Sequence, residues 1–263
     1  MSTNSAEASL PSANRNSSIL WIFGFLLLGV LVSLLGSLVI TWQYHIDVEP
    51  QLIGLHFLAL NAGYILSTAL SQRYLRYSGI RTLALASTAL AAVSLLSLAF
   101  LAPPAAVPWR MLGLGMVGIS SGGLATALFY ALEQRFSSAP AATANLAGVL
   151  FGSGCLLSTL VVALTYYTGS LGLPALILAA VPCVFLVLFL RGRHVPAAPL
   201  RTPEQDALRD TVKDLRSIAA VLFTLLLFFQ FGNEWALAGW LPLFLIHRLG
   251  SNPVARVGRD IVP

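Results

Sequence analysis

Seven stretches of this chain run for about twenty residues or more with almost no charge, at 19–42, 52–71, 82–101, 109–131, 144–167, 172–190 and 217–245. At about 1.5 Å of rise per helical residue, each is long enough to cross roughly 30 Å of hydrocarbon. The rest of the composition agrees. The chain is 57% hydrophobic and 10% charged, whereas a soluble domain carries about 25% charged residues. So few charges could not cover a water-facing surface. The expected fold class is an all-α membrane protein.

The first stretch follows a polar tail, 1–18, expected to be a disordered cytoplasmic segment. At 24 residues, 19–42 exceeds the roughly 7–15 apolar residues of a signal-peptide core. It is therefore expected to be a retained span. The net charge of +5 comes from 15 Lys and Arg against 10 Asp and Glu. In a soluble protein such an excess would raise the question of nucleic acid. Here no basic run is interleaved with aromatics, and excess Arg is what cytoplasmic loops need. Cys155 and Cys183 lie inside apolar stretches without a C-x-x-C or a His at ligand spacing, so neither a metal site nor a disulfide is expected.

Orientation follows from Lys and Arg. One set of inter-span segments holds eleven of them: Arg15, Arg73, Arg76, Arg81, Arg135, Arg191, Arg193, Arg201, Arg209, Lys213 and Arg216. The opposite set holds four: Arg110, Arg248, Arg256 and Arg259. The first set is expected to be cytoplasmic, which puts the N-terminus inside. The localisation this implies is a multi-pass plasma membrane protein, in a bacterium the inner membrane. The hydrophilic stretch 191–216 then becomes a cytoplasmic linker. It contains Pro196, Pro199 and Pro203 and a charged run, EQDALRDTVKDLR, with helical spacing.

An internal echo refines the expectation. Residues 63–68 read GYILST and residues 154–159 read GCLLST, at an offset of 91. The same offset lays span one on span four, with Gly24 over Gly115, and span three on span six. A unit of three spans that repeats must be inverted in the membrane. The expected fold is thus a six-helix bundle, 19–190, of two inverted three-helix repeats, followed after the linker by one extra transmembrane helix, 217–247, and an irregular tail, 248–263.

Six spans, a cytoplasmic linker and a seventh span resemble the major facilitator superfamily. Asn61-Ala62-Gly63-Tyr64 in span two is similar to its N-x-G-Y pattern. The loop RYLRYSGIRTL resembles the end of its signature between spans two and three, with Gly79 and Arg81 on the G-x-R. The sequence departs from that signature at Arg76, where Asp is usual, and at Gln72, where the first Gly would stand. Span five lacks the Gly-Pro pair common in antiporters, which favours a uniporter or symporter. The segment GNEWALAGWLPLFL is similar to the seventh span of the fucose and glucose permease branch, through Gly232, Glu234, Gly239, Trp240 and Leu241.

The resemblance implies transport of a small solute, a sugar in that branch, by uniport or symport with proton or sodium coupling. No cofactor is implied. Candidate substrate-binding residues are Gln230, Asn233, Glu234 and Trp240, which fall on one side of a helical wheel, with His56 and Tyr64 in span two. Amides and a carboxylate hydrogen-bond hydroxyls, and an indole face packs on a pyranose ring. The alternative for Glu234 and Trp240 is a wetted aromatic belt at the outer interface. For His56 it is a hydrogen bond to a neighbouring helix. Asn61 is expected to hydrogen-bond between helices, and the stripe Ser33, Ser37, Thr41 to pack helix on helix. Candidate gating residues are Gly79, Arg81, Glu133 and Arg135, the last two alternatively forming a solvated helix end.

No catalytic or nucleotide motif is present: no G-x-S-x-G, H-E-x-x-H or P-loop. A complete member of the superfamily has two six-helix bundles, so this chain is expected to be a truncated one that does not transport by itself. The alternatives are a seven-helix receptor, which needs the N-terminus outside, and a half-subunit that pairs with a partner.

Overall fold

A computed structural model describes residues 12–45, 50–135, 140–165, 168, 170–191, 217–222, 225–226 and 229. Among them the chain is all helical: α1 Ser12–His45, α2 Pro50–Phe100, α3 Val107–Arg135, α4 Pro140–Thr165, α5 Leu173–Leu178 and α6 Ala180–Arg191. Proline marks several beginnings. Pro50 and Pro140 open α2 and α4, and Pro108 and Pro174 sit in the first turns of α3 and α5. A first-turn amide has no partner within its helix, so a residue without an N–H loses nothing there, and its fixed φ already suits a helix.

Six described segments are long and apolar enough to cross a membrane: Ile19–Val39, Gln51–Leu75, Tyr77–Phe100, Val107–Glu133, Ala141–Thr165 and Leu173–Arg191. They are spans one to six below. The expected seventh span, 217–247, lies largely outside the described residues, as do the linker and the tail.

Three boundaries differ from the sequence expectation. Residues 12–18, expected to belong to a disordered tail, are helical and open α1. The segment 72–81, expected as a loop, is helical, and α2 runs through spans two and three. The reversal is concentrated at Gly79, whose φ of 76° and ψ of 162° lie outside helical space. A side chain is strained at that φ, which is why a glycine stands there. Span six, expected to be continuous, is interrupted between Leu178 and Ala180. Pro182 explains the break. It has no N–H for the Leu178 carbonyl, and its ring crowds that oxygen.

Packing fixes the relative directions of the spans. α1 packs mainly on α4, and α3 on α2. Gly29 of span one lies against Phe151 and Cys155 of span five, and Ser37 lies against Thr159. Both numbers rise together, so spans one and five are parallel. Gly63 lies against Gly115 and Ile119, and Gly122 against Tyr64 and Thr68, so spans two and four are parallel too. Spans three and six are antiparallel: Gly172 meets Ala99 at one end and Arg81 meets Phe189 at the other. Alternate crossings of one bilayer require this pattern.

The close approaches are made by glycine. A Cβ on Gly29, Gly63, Gly118 or Gly154 would overlap a carbonyl oxygen of the facing helix. In lipid, apolar side chains gain little by leaving their surroundings, so contact between backbones at small residues carries much of the helix association. The apolar core fills the rest, with Leu27, Leu31, Leu34 and Leu38 of α1 and Leu114, Leu124 and Leu128 of α3 fully buried.

Candidate functional site

The densest concentration of unsatisfied polar groups among the described residues lies at one end of the bundle, where spans one, two and four meet. Trp42 comes from the last turn of α1, His56 from the second turn of α2 and Arg110 from the first turn of α3. All three are buried, with exposures of 2%, 1% and 7%. The Arg110 guanidinium lies 5.7 Å from the centroid of the Trp42 ring, within the roughly 6 Å at which a cation is held over an indole face. Trp42 and His56 meet edge to face at 5.8 Å.

The cluster is electrostatically incomplete. Trp42 Nε1, His56 Nε2 and Arg110 Nε and Nη1 are buried without a hydrogen-bond partner. Each such group costs about 1–3 kcal/mol, and a charged one more. His56 Nδ1 bonds to the Leu52 carbonyl oxygen. A carbonyl only accepts, so Nδ1 carries a proton, and in the neutral form of the ring Nε2 presents a lone pair. The cluster therefore offers two kinds of unmet capacity: N–H donors on Trp42 and Arg110, and one acceptor on His56.

A second polar seam runs between spans one and five. Ser37 Oγ and Thr159 Oγ1 are 3.3 Å apart. Cys155 Sγ reaches the Gly29 carbonyl oxygen at 3.5 Å, and Ser33 Oγ donates to the same oxygen at 2.9 Å. The serine stripe of span one thus packs helix on helix at Ser37, as its spacing suggested.

The sequence candidates are only partly brought together. His56 shares a buried face with Ile53, Leu60, Gly63, Ser67 and Ser71. That face packs on α3, and His56 meets another helix through the Trp42 ring of α1, while its hydrogen bond stays within α2, to Leu52, and does not reach a neighbouring helix. Tyr64 is half-buried two turns further on, beside Gly118, about 12 Å along the helix from His56. These two residues do not form one site. Asn61 donates to the Phe57 carbonyl of its own helix at 2.9 Å, not to a neighbouring helix. Gly79 forms the turn between spans two and three. Arg81 donates to the carbonyl oxygens of Phe189 and Leu190 at 3.0 and 3.3 Å, which caps the last turn of α6. Glu133 is exposed at the end of α3, and the side chain of Arg135 lies outside the described residues. Gln230, Asn233, Glu234 and Trp240 lie outside the described residues as well.

Arg110 and Trp42 were missed from sequence. Arg110 reads as an outer-loop charge next to Trp109. The signal that would have found it is its register: Arg110, Leu114, Val117, Ser121, Leu124 and Leu128 form one helical stripe, and all are buried.

Among the described residues all structure is helical, with six apolar helices of spanning length, polar groups gathered inside the bundle and leucines on its outside, and this makes the chain a multi-pass membrane protein. No family model, curated protein or solved structure matches this chain.

Proposed function

We propose that the described spans form one bundle of an alternating-access solute carrier, built from two inverted three-helix repeats. The observation that carries this reading is the register of the glycine contacts. Gly29 meets Phe151 O and Cys155 N, and Gly118 meets Leu60 O and Tyr64 N. Gly154 meets Leu26 O and Val30 N, and Gly63 meets Gly115 O and Ile119 N. One rule relates the two sets. Adding 89 carries span one onto span four, and adding 91 carries span two onto span five. All four contacts then map onto one another. Gly24 therefore corresponds to Gly113 and not, as the single offset suggested, to Gly115.

Burial supports the same pairing. Spans one and four are 61% and 72% buried, spans two and five 28% and 22%, and spans three and six 50% and 39%. A chance match of one hexapeptide would not order all three pairs. Inverted repeats of this kind are characteristic of carriers whose site lies near the bilayer midplane, between units that rock against each other.

The cargo in this reading is a small solute of the sugar type, moved by uniport or by symport with a proton or sodium ion, across a bacterial inner membrane with the N-terminus cytoplasmic. The support for cargo and sidedness is the span-seven resemblance and the distribution of Arg. Membrane vesicles from cells expressing this protein provide the test. Saturable uptake of a labelled hexose, with counterflow by unlabelled sugar, is the expected result. Vesicles that contain the protein and show no saturable flux of any hexose or hexose derivative would overturn it.

A further inference from the structure

We propose that Trp42, His56 and Arg110 form a binding site for a small hydroxycarboxylate anion. The inference stands on the cluster itself and does not rest on the carrier reading. Three features define the ligand. The first is charge. Arg110 is a buried cation with two unpartnered nitrogens, Nε and Nη1, and a buried guanidinium calls for an anion that accepts from it. The second is the indole N–H of Trp42, also buried and unpartnered, which adds a neutral donor beside the cation. Together they suit the two oxygens of a carboxylate. The third is the opposite capacity of His56. With Nδ1 committed to the Leu52 carbonyl, Nε2 is unpartnered and, in the neutral ring, an acceptor, which an anion without a hydroxyl leaves unmet. A carboxylate carrying a neighbouring hydroxyl supplies acceptors for Arg110 and Trp42 and a donor for His56.

Position favours a ligand that arrives from water. Arg110 lies three residues inside the start of span four and His56 five residues inside the start of span two, about 5 and 8 Å from the helix ends. Trp42 lies just beyond the end of span one. The site is thus within the outer third of the bundle, close to the aqueous interface. An ionic group so near the interface costs far less than one at the bilayer centre.

The test is equilibrium binding to the purified chain in detergent micelles, read by melting temperature and by calorimetry at constant ionic strength. The probes are gluconate, glucose, butyrate and inorganic phosphate. Glucose has the hydroxyls without the carboxylate, and butyrate the carboxylate without hydroxyls. Gluconate is expected to bind saturably, with glucose and butyrate each weaker by roughly tenfold or more. Arg110→Gln should weaken gluconate by roughly 30-fold or more, and Arg110→Lys by less, because the charge remains while the planar donor array is lost. Trp42→Phe keeps the ring and removes one donor. It should weaken gluconate by roughly 3–10-fold without lowering the melting temperature of the ligand-free protein. If Arg110→Gln does not fold, Arg110→Lys and Trp42→Phe carry the test. Four results would overturn the proposal: no gluconate response from folded protein; phosphate binding as tightly as gluconate; gluconate binding unchanged in both Trp42→Phe and Arg110→Lys; or a response that emerges only in Asp47→Asn/Glu49→Gln, which would mean that a carboxylate of this chain already fills the guanidinium.

Discussion

Replacing Gly154 by Ala puts a methyl group into the seam between spans one and five. The new Cβ would overlap the Leu26 carbonyl oxygen and stand 3.0 Å from both the Leu26 carbonyl carbon and the Val30 nitrogen. Carbon atoms prefer about 3.5–4.0 Å, so these two contacts alone require the helices to separate by roughly 0.5–1 Å, and the closer carbonyl oxygen requires more. A gap of that size forfeits about a quarter to a half of each dispersion contact it opens. The atoms met belong to backbone and cannot swing aside, which places the cost near the upper end of the roughly 1–3 kcal/mol for overpacking. Helix propensity opposes it, since Ala is better than Gly by about 1 kcal/mol. The clash wins, and the net loss is about 2 kcal/mol, or roughly 4–8 °C in melting temperature for a chain of this size. Gly148 is the internal control. It lies in the same helix with nothing within 4 Å of a built Cβ, so Gly148→Ala should leave stability unchanged or raise it by about 0.5–1 kcal/mol. Reversible unfolding by SDS in mixed micelles measures both. If Gly154→Ala is as stable as Gly148→Ala, the seam is not packed as described and the reasoning fails.

Further outcomes follow from the same geometry. Gly29→Ala and Gly118→Ala meet the same pair of backbone groups, with the nearest carbonyl carbon at 2.9 Å in each case. Their unfolding free energies should therefore fall by similar amounts, within about 1 kcal/mol of each other, when overpacking of this kind costs about 1–3 kcal/mol. Arg81→Gln removes the cation from the Phe189 and Leu190 carbonyls. Hydrogen exchange should then quicken in the last turn of α6 by an amount corresponding to about 0.3–1 kcal/mol, the usual strength of a cation at a helix C-terminus. A cysteine placed in the tail at 1–18 should react with membrane-impermeant maleimide only after the cells are opened. Labelling of intact cells would refute the cytoplasmic placement of the N-terminus.

The spans were legible because lipid imposes a length and a composition that soluble folds do not share. Six of the expected stretches coincide with described spans to within a few residues at most ends. What failed was local or relational. Helix continuity across 72–78 was hidden by Arg73 and Arg76, which read as a loop, although no glycine or proline interrupts QRYLRYS and the reversal waits for Gly79. The break in span six was marked by Pro182, whose effect falls one turn earlier, at Leu178. On the proposed repeat, the glycine contacts put the offset between spans one and four at 89 and not at the 91 read from sequence, because the letters that match there, Gly24 and Gly115, are not the ones that touch in equivalent ways. Gly29 and Gly118 are, and only the facing carbonyls reveal it. In the candidate site His56 was legible as a polar residue in an apolar helix. Its partners were not, because Arg110 and Trp42 come from helix ends where charge and indole are ordinary in any membrane protein.

Cysteine cross-linking in native membranes tests the repeat most directly, using Ser37→Cys/Thr159→Cys and Thr68→Cys/Thr126→Cys in a background with Cys155 and Cys183 replaced by Ser. The first pair is read from the contact of Ser37 Oγ with Thr159 Oγ1 at 3.3 Å. The second is its image under the offsets of 89 and 91. Both pairs should form disulfides on mild oxidation: the bond needs a Cβ separation of roughly 3.5–4.5 Å, the hydroxyl contact of the first pair brings its side chains together, and the repeat requires the second pair to face in the same way. Linkage of the first pair alone would contradict the two-fold relation between the halves, and linkage of neither would contradict the bundle.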